Sequence, residues 1–403
     1  MAFGRNVVFT LCTALVLLSC IVNAGIFADG GQDVRKSYLE GREYQLRPDF
    51  SIERFASRAY QDEFEQYAAD AVPMRDLVLL ENAWLQRQTI IVANAVFGFD
   101  VYPTFFGSEY LACPTYETIA EYPSSQRTVT DDVLGKPLRA VWNMVGSHPG
   151  IQWRFALVER SRNALSNPAH DLVSMHADYN YYRTKFLEKL PTACPYVDIS
   201  VGDKKHYLQG YFHTDHHTQI SGAIDAYKKI CTTFGRKPLA DLEIARIYDG
   251  PFYGSEARNG LIDDYFDTLE DVVKSPVEFI VEVDGRQEPL SWLNRGYGQG
   301  GDPYAPTERF ANAYAEWFHK DAGEIHISNS KGKGSLLIVG DSFTNNMDYL
   351  FAYSYRDVYI LDPRHYEGIL EDFLKRHEVD DALFLMASNT LVGSSTRAFL
   401  ASR

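Results

Sequence analysis

Two short runs hold residues whose types and spacing could do chemistry. The first is Gly340-Asp341-Ser342-Phe343. The second is His213-Thr214-Asp215-His216-His217-Thr218. A free serine hydroxyl is a poor nucleophile. It becomes competent when a histidine takes its proton and a carboxylate orients that histidine. Ser342, with His217 as base and Asp215 as orienting group, would suit attack on an ester carbonyl. Backbone amides at a helix start beyond Ser342 would then hold the developing oxyanion. Asp215, His216 and His217 could also ligate a metal, but no further His, Asp or Glu cluster with zinc-type spacing accompanies them. We therefore expect neither a metal nor a dissociable organic cofactor. His176 and Asp178 read as an exposed helix face.

These residues need elements to hold them. Ser342 follows Leu336-Leu337-Ile338-Val339, a continuously apolar run. Val358-Tyr359-Ile360-Leu361 and Ala382-Leu383-Phe384-Leu385-Met386 are two more. Amphipathic segments lie between them, from Met347 to Tyr353 and at Ile369, Leu370, Phe373 and Leu374. Apolar strands alternating with helices predict a parallel sheet covered on both faces. Chemistry in such sheets gathers beyond the carboxyl ends of the strands. The His/Asp run follows a short predicted strand, Tyr196 to Ile199. It precedes a helix with Ile220, Ala223, Ile224, Tyr227 and Ile230 on one face, for which Thr218 is the expected N-cap.

Elsewhere the sequence is less specific. Residues 51–97 read as helical, 98–140 as strand and loop, and 153–192 as helical and rich in charge. Glu278 to Val283 with Gly285 suggests a hairpin. The acidic stretch from Asp263 to Asp271 reads as a solvated face. Arg295-Gly296-Tyr297-Gly298-Gln299-Gly300-Gly301 resembles a nucleotide-binding glycine run only by letters, because no strand leads into it and no clear helix leaves it.

The chain has 403 residues, 45% hydrophobic, with a formal net charge of −15. That balance argues against a nucleic-acid binder, which needs a basic face. Val7 to Val22 is apolar behind Arg5, the pattern of an export signal or membrane anchor. It allows cleavage after Ala24, a loose lipobox at Leu17-Leu18-Ser19-Cys20, or retention as a membrane attachment. Of five cysteines, Cys113, Cys194 and Cys231 lie beyond this leader, so at most one internal disulfide forms.

The serine block after its apolar strand resembles that of the SGNH hydrolase-like superfamily. An Asp-x-His placed before the serine resembles the alginate O-acetyltransferase branch. Within it, Tyr211 to Thr218 is similar to the name-giving motif of the DHHW-protein family. Phe64, Tyr67, Asp70, Pro73, Arg75 and Asp76 resemble the branch's N-terminal segment, and Asp362-Pro363-Arg364 its run after the second strand. Thr218 stands where the family carries Trp, which bears on substrate shape more than on the reaction. The resemblance implies an α/β, three-layer, flavodoxin-like SGNH sheet with the Asp-x-His permuted ahead of the Ser. The division is a leader over 1–24, a tether and N-terminal helical segment over 25–110, and the SGNH-like domain over 111–403, with an inserted region at about 235–330. It implies Ser342 as nucleophile, His217 as base and Asp215 as its partner. Arg364, Asn345, Asn346 and Asn389 are the substrate or oxyanion candidates. The expected function is an extracytoplasmic O-acetyltransferase acting on a polysaccharide acceptor, with acetyl supplied by a membrane-bound O-acyltransferase. A carbohydrate esterase and a non-catalytic polysaccharide-binding protein are the alternatives.

Overall fold

A computed structural model describes residues 36–121, 131–160, 166–168, 184–240, 242–273, 278–297, 306 and 308–401. The leader, the His176/Asp178 pair and Gly298 to Gly301 lie outside the described residues. Among the described residues the strands are, in chain order, β1 (Lys36–Ser37), β2 (Arg42–Glu43), β3 (Tyr102–Pro103), β4 (Tyr110–Cys113), β5 (Thr118–Glu121), β6 (Gln152–Val158), β7 (Ile244–Phe252), β8 (Asp267–Val272), β9 (Ile280–Val283), β10 (Arg286–Glu288), β11 (Glu324–Ser328), β12 (Ser335–Gly340), β13 (Asp357–Leu361) and β14 (Asp381–Ala387).

The three apolar runs form the centre of a seven-stranded sheet of order β10-β9-β11-β13-β12-β14-β6. β13, β12, β14 and β6 run parallel. Successive residues on a strand point to opposite faces, so each central strand feeds two cores. Leu336, Ile338, Val358, Ile360, Leu383 and Leu385 face one of them. Leu337, Val339, Tyr359, Leu361, Phe384 and Met386 face the other. The helix Ile220–Thr233 covers the first face with Ala223, Ile224, Tyr227 and Ile230. The helices Asp131–Ser147 and Leu370–Arg376 cover the second with Val141, Met144, Leu370 and Phe373. The result is the expected three-layer α/β arrangement.

The sheet differs from expectation in being mixed. β11 pairs antiparallel with β13, β9 pairs antiparallel with β11, and β10 closes the edge as the partner of β9 in the anticipated hairpin. All three strands come from residues 235–330. β9 and β11 each alternate buried and less buried positions, the pattern of strands packed mainly on one face.

Four local readings are corrected. Residues 131–140 belong to the helix Asp131–Ser147, not to strand and loop. Residues 152–158 are a strand, not a helix start. Trp153, Phe155 and Leu157 enter one core while Ala156 and Val158 enter the other, and β6 pairs with β14 along its whole length. Tyr196 makes only an isolated bridge to Phe155, so no strand forms over 196–199. The N-cap of the Ile220–Thr233 helix is Gln219, not Thr218.

The N-terminal helical segment is built as helices Ile52–Ala56, Ala59–Asp70 and Arg75–Ala95. Its motif residues are tied locally. Asp70 accepts from Arg42 at 2.6 and 2.8 Å, and Ser37 donates to Asp76 at 3.1 Å. Buried Arg87 reaches Asp264 at 2.9 Å, which joins this segment to the stretch before β8. Cys113, Cys194 and Cys231 are all buried and free. Among the described residues no helix is long and apolar enough to cross a membrane.

Candidate active site

β12 ends at Gly340, and the chain turns sharply so that Ser342 opens a short 3₁₀ turn over Ser342–Thr344. Two contacts demand glycine at 340. A Cβ there would lie 2.5 Å from Thr344 Cγ2 and 2.8 Å from the Leu385 carbonyl oxygen. Asp341 is the clamp of this turn. Its carboxylate accepts from Phe343 N–H at 3.1 Å and from Ala387 N–H at 2.9 Å, so it binds the end of β12 to the end of β14. Burial pushes the Asp341 pKa upward.

Asp215 and His217 sit on a loop closed at its base by an antiparallel bridge between Tyr211 and Thr218. His217 Nδ1 lies 2.6 Å from Asp215 Oδ1, and His217 Nε2 lies 3.0 Å from Ser342 Oγ. Asp215 also accepts from His217 N–H at 3.0 Å and Ser255 N–H at 2.6 Å. Burial opposes ionisation of Asp215. The charges on His216 and His217, with the bonds from His217 and Ser255, outweigh it and hold the carboxyl well below the usual range. An ionised Asp215 fixes the proton on Nδ1 and leaves Nε2 to accept from the serine hydroxyl.

The loop itself is positioned by residues 254–267. Asp267 accepts from His213 N–H and Thr214 N–H, both at 2.8 Å, and from the Thr214 hydroxyl at 2.6 Å. The Thr214 carbonyl accepts from Glu256 N–H at 2.9 Å and Ala257 N–H at 3.1 Å, in the first turn of the helix Ser255–Asn259. Gly254 allows this approach, because a Cβ there would stand 2.3 Å from Thr214 O and 2.4 Å from Asp215 Cβ. The acidic stretch is therefore not a solvated face throughout. Asp267 and Asp271 are buried, each held by several donors from elsewhere in the chain.

Tyr314 is a site residue that sequence reasoning missed. It lies on the helix Ala313–Trp317. Its ring stacks on the His217 imidazole at 4.1 Å between centroids and 7° between planes, and its hydroxyl donates to the Ser342 carbonyl at 3.0 Å. Phe343 packs against the same imidazole at 4.8 Å. No spacing relates Tyr314 to either motif, so only the fold reveals it.

The remaining candidates are distributed differently. Asn345 donates its side-chain amide to His319 O at 3.3 Å, and Asn346 donates to Thr218 O at 2.8 Å. Both amides are spent on holding backbone. Asn389 stands on the helix Ser388–Leu391, at the end of β14 beside the serine strand. Arg364 is held in ion pairs with Asp362 at 2.5 Å and Asp321 at 2.9 Å, and its charge lowers the Asp341 pKa against the effect of burial. Asp215, His216 and His217 turn one ligand atom each to within 4.8 Å of one another. His217 nonetheless engages Asp215 and Ser342 with its two ring nitrogens, and His216 Nδ1 meets Ser255 Oγ at 2.7 Å.

Solved structures share this architecture. PatB1 of Bacillus cereus, in a form carrying a sulfonyl adduct, matches with a TM-score of 0.55 at 22% identity, covering 70% of this chain and 95% of that one. A DHHW family protein of Eubacterium siraeum matches with a TM-score of 0.51 at 18% identity, covering 66% of this chain and 88% of that one. The chain shares its fold with these structures. No family model matches the sequence, and no curated protein matches it. The fold expected from the two motifs is therefore present, with the shared architecture spanning about two thirds of the chain.

Proposed function

We propose that the protein is an extracytoplasmic SGNH-like O-acetyltransferase that moves an acetyl group to a polysaccharide hydroxyl. The observation that carries this reading is the continuous hydrogen-bonded chain from Asp215 through His217 to Ser342, at 2.6 and 3.0 Å. His217 Nε2 accepts the Ser342 proton as Oγ attacks the acetyl carbonyl. Asp215 stabilises the imidazolium that forms. The imidazolium returns its proton to the departing donor oxygen, which leaves acetyl on Ser342. An acceptor hydroxyl then gives its proton to His217 and attacks, releasing free Ser342 and an acetylated sugar. Among the described residues the Ser342 N–H meets no acceptor, which leaves it free to hold the oxyanion. Asn389 and Arg364 are the further candidates near this end of the sheet. A membrane-bound O-acyltransferase is the proposed source of acetyl, and the apolar stretch Val7 to Val22 supports export.

The test is intact-mass measurement after incubation with an activated acetyl ester. We expect one acetyl adduct in the wild type and none in Ser342→Ala or His217→Ala. Faster loss of the adduct on adding acetyl-free oligosaccharide would support transfer over hydrolysis. A folded wild type that gains no adduct would refute the reading and favour a glycan-binding role.

A further inference from the structure

A second His–Asp pair lies buried behind the site. His319 Nε2 stands 2.9 Å from Asp348 Oδ2, and both side chains are almost wholly shielded from solvent. His319 Nδ1 faces the Lys320 carbonyl at 2.9 Å. A carbonyl cannot donate, so Nδ1 carries a hydrogen and Nε2 meets the carboxyl group. Trp292 stacks on the ring at 5.3 Å. His319 has a φ of 119°, a backbone that an L-residue with a side chain adopts only when its surroundings impose it. The proposed catalytic chain uses none of these groups.

What the pair joins is informative. His319 follows, by two residues, the helix that carries Tyr314. Asp348 opens the helix Asp348–Phe351, which follows the Ser342 turn. The same two segments are tied three times more. Asp271 accepts from Trp317 Nε1 and from the Tyr349 hydroxyl, both at 2.7 Å. The His319 carbonyl accepts from the Asn345 side chain at 3.3 Å, and Asn345 N–H returns to the Ser342 carbonyl at 3.3 Å. That carbonyl is the one Tyr314 also donates to. Segments 313–319 and 342–349 are thus locked together by buried polar bonds, and their common edge is the His217–Ser342 contact.

We propose that His319 and Asp348 form a positioning clamp, which sets Tyr314 against His217 and so fixes the imidazole relative to Ser342. The pair touches no reacting atom. Its work is to hold the plate that holds the base. The inference rests on the acyl-transfer reading for its activity assay, and it needs a second readout that does not.

The experiment compares wild type with Asp348→Ala, Asp348→Asn, His319→Gly and Tyr314→Phe. Asp348→Asn keeps both bonds with a neutral ring, because its amide can donate to Nε2 while its oxygen accepts from Tyr349 N–H, which lies 2.6 Å from Asp348 Oδ1. His319→Gly removes the imidazole and relieves the backbone, so it should fold even where Asp348→Ala does not. With the activated acetyl ester, Asp348→Ala and His319→Gly should acetylate at least about thirtyfold more slowly. The half-saturating ester concentration should stay within about twofold. Asp348→Asn should stay within about threefold of wild type, and adding Tyr314→Phe to Asp348→Ala should bring no further full loss. Hydrogen–deuterium exchange gives the independent readout. Peptides over 313–319 and 341–349 should both exchange faster in His319→Gly, with the rest of the sheet unchanged. Full acetylation rate in His319→Gly, or faster exchange in only one of the two segments, would overturn the clamp. Asp348→Asn as slow as Asp348→Ala would do the same, because charge rather than hydrogen-bonded position would then be at work. If the folded wild type takes no acetyl, the acyl-transfer reading fails, and the exchange comparison alone still decides the clamp.

Discussion

Asp215→Asn is the most informative single change at this site. The substitution keeps the shape of the side chain and removes its charge. In the wild type, one oxygen accepts from His217 Nδ1 and His217 N–H, and the other accepts from Ser255 N–H. An asparagine must turn its NH₂ toward one of these donors. Turned toward Ser255, it loses one bond and keeps His217 in the working tautomer. Turned toward His217, it pushes the ring proton onto Nε2, where the ring can no longer take the Ser342 proton. In either orientation the imidazolium that forms during attack loses its counter-charge. Two unit charges with centres about 4 Å apart attract by about 4 kcal/mol at an effective dielectric of about 20. That corresponds to roughly a thousandfold in rate. The assay is the rate of acetyl-adduct formation with an activated ester, followed by intact mass at matched folded fraction. Acetylation of Asp215→Asn within about tenfold of wild type would show that the buried carboxylate is not the partner of His217 during attack.

Three further outcomes follow from the same geometry. Gly254→Ala should slow acetylation by at least about a hundredfold while destabilising the protein by only about 1–3 kcal/mol, because the added carbon displaces Thr214 and Asp215 from a packed wall; parallel urea titrations and adduct kinetics check the split. Asp215 has a native pKa held below its unfolded value of about 4. Its stabilising contribution is therefore complete above that pH and fades as pH falls through the lower native value. The stability gap between wild type and Asp215→Asn should narrow on acidification below about pH 4, and a gap that widens there would contradict the assignment. Cys194 and Cys231 are buried, with thiol pKa values pushed up to about 12 and about 11 by desolvation. Iodoacetamide at pH 8 should leave them and Cys113 unlabelled in the folded protein and label all three in denaturant.

The parts of the site that were legible in the sequence share one property, which is that their context is local. Ser342 follows an unbroken apolar strand within a few residues, and Asp215 and His217 are two apart. Local context misled where the decisive partner was distant. The acidic letters from Asp263 to Asp271 look solvated until Asp267 is seen to hold His213 and Thr214, more than fifty residues upstream. Gln152 to Val158 carries alternating large apolar residues beside charged flanks, and only pairing with β14 makes it a strand. Thr218 has the chemistry of an N-cap, but the chain enters the helix one residue later, with the Gln219 side chain donating to Tyr211 O at 2.8 Å. Tyr314 and His319 carry no local mark at all.

These misses converge on one structural point. The serine sits at the end of β12, and contacts from residues 235–330 hold the His/Asp loop against it. Ser255 donates to Asp215, Gly254 and Asp267 shape the loop beneath it, and Tyr314 backs the imidazole. Changes in these wall residues would alter the surroundings of His217 and Ser342 without altering Asp215, His217 or Ser342 themselves.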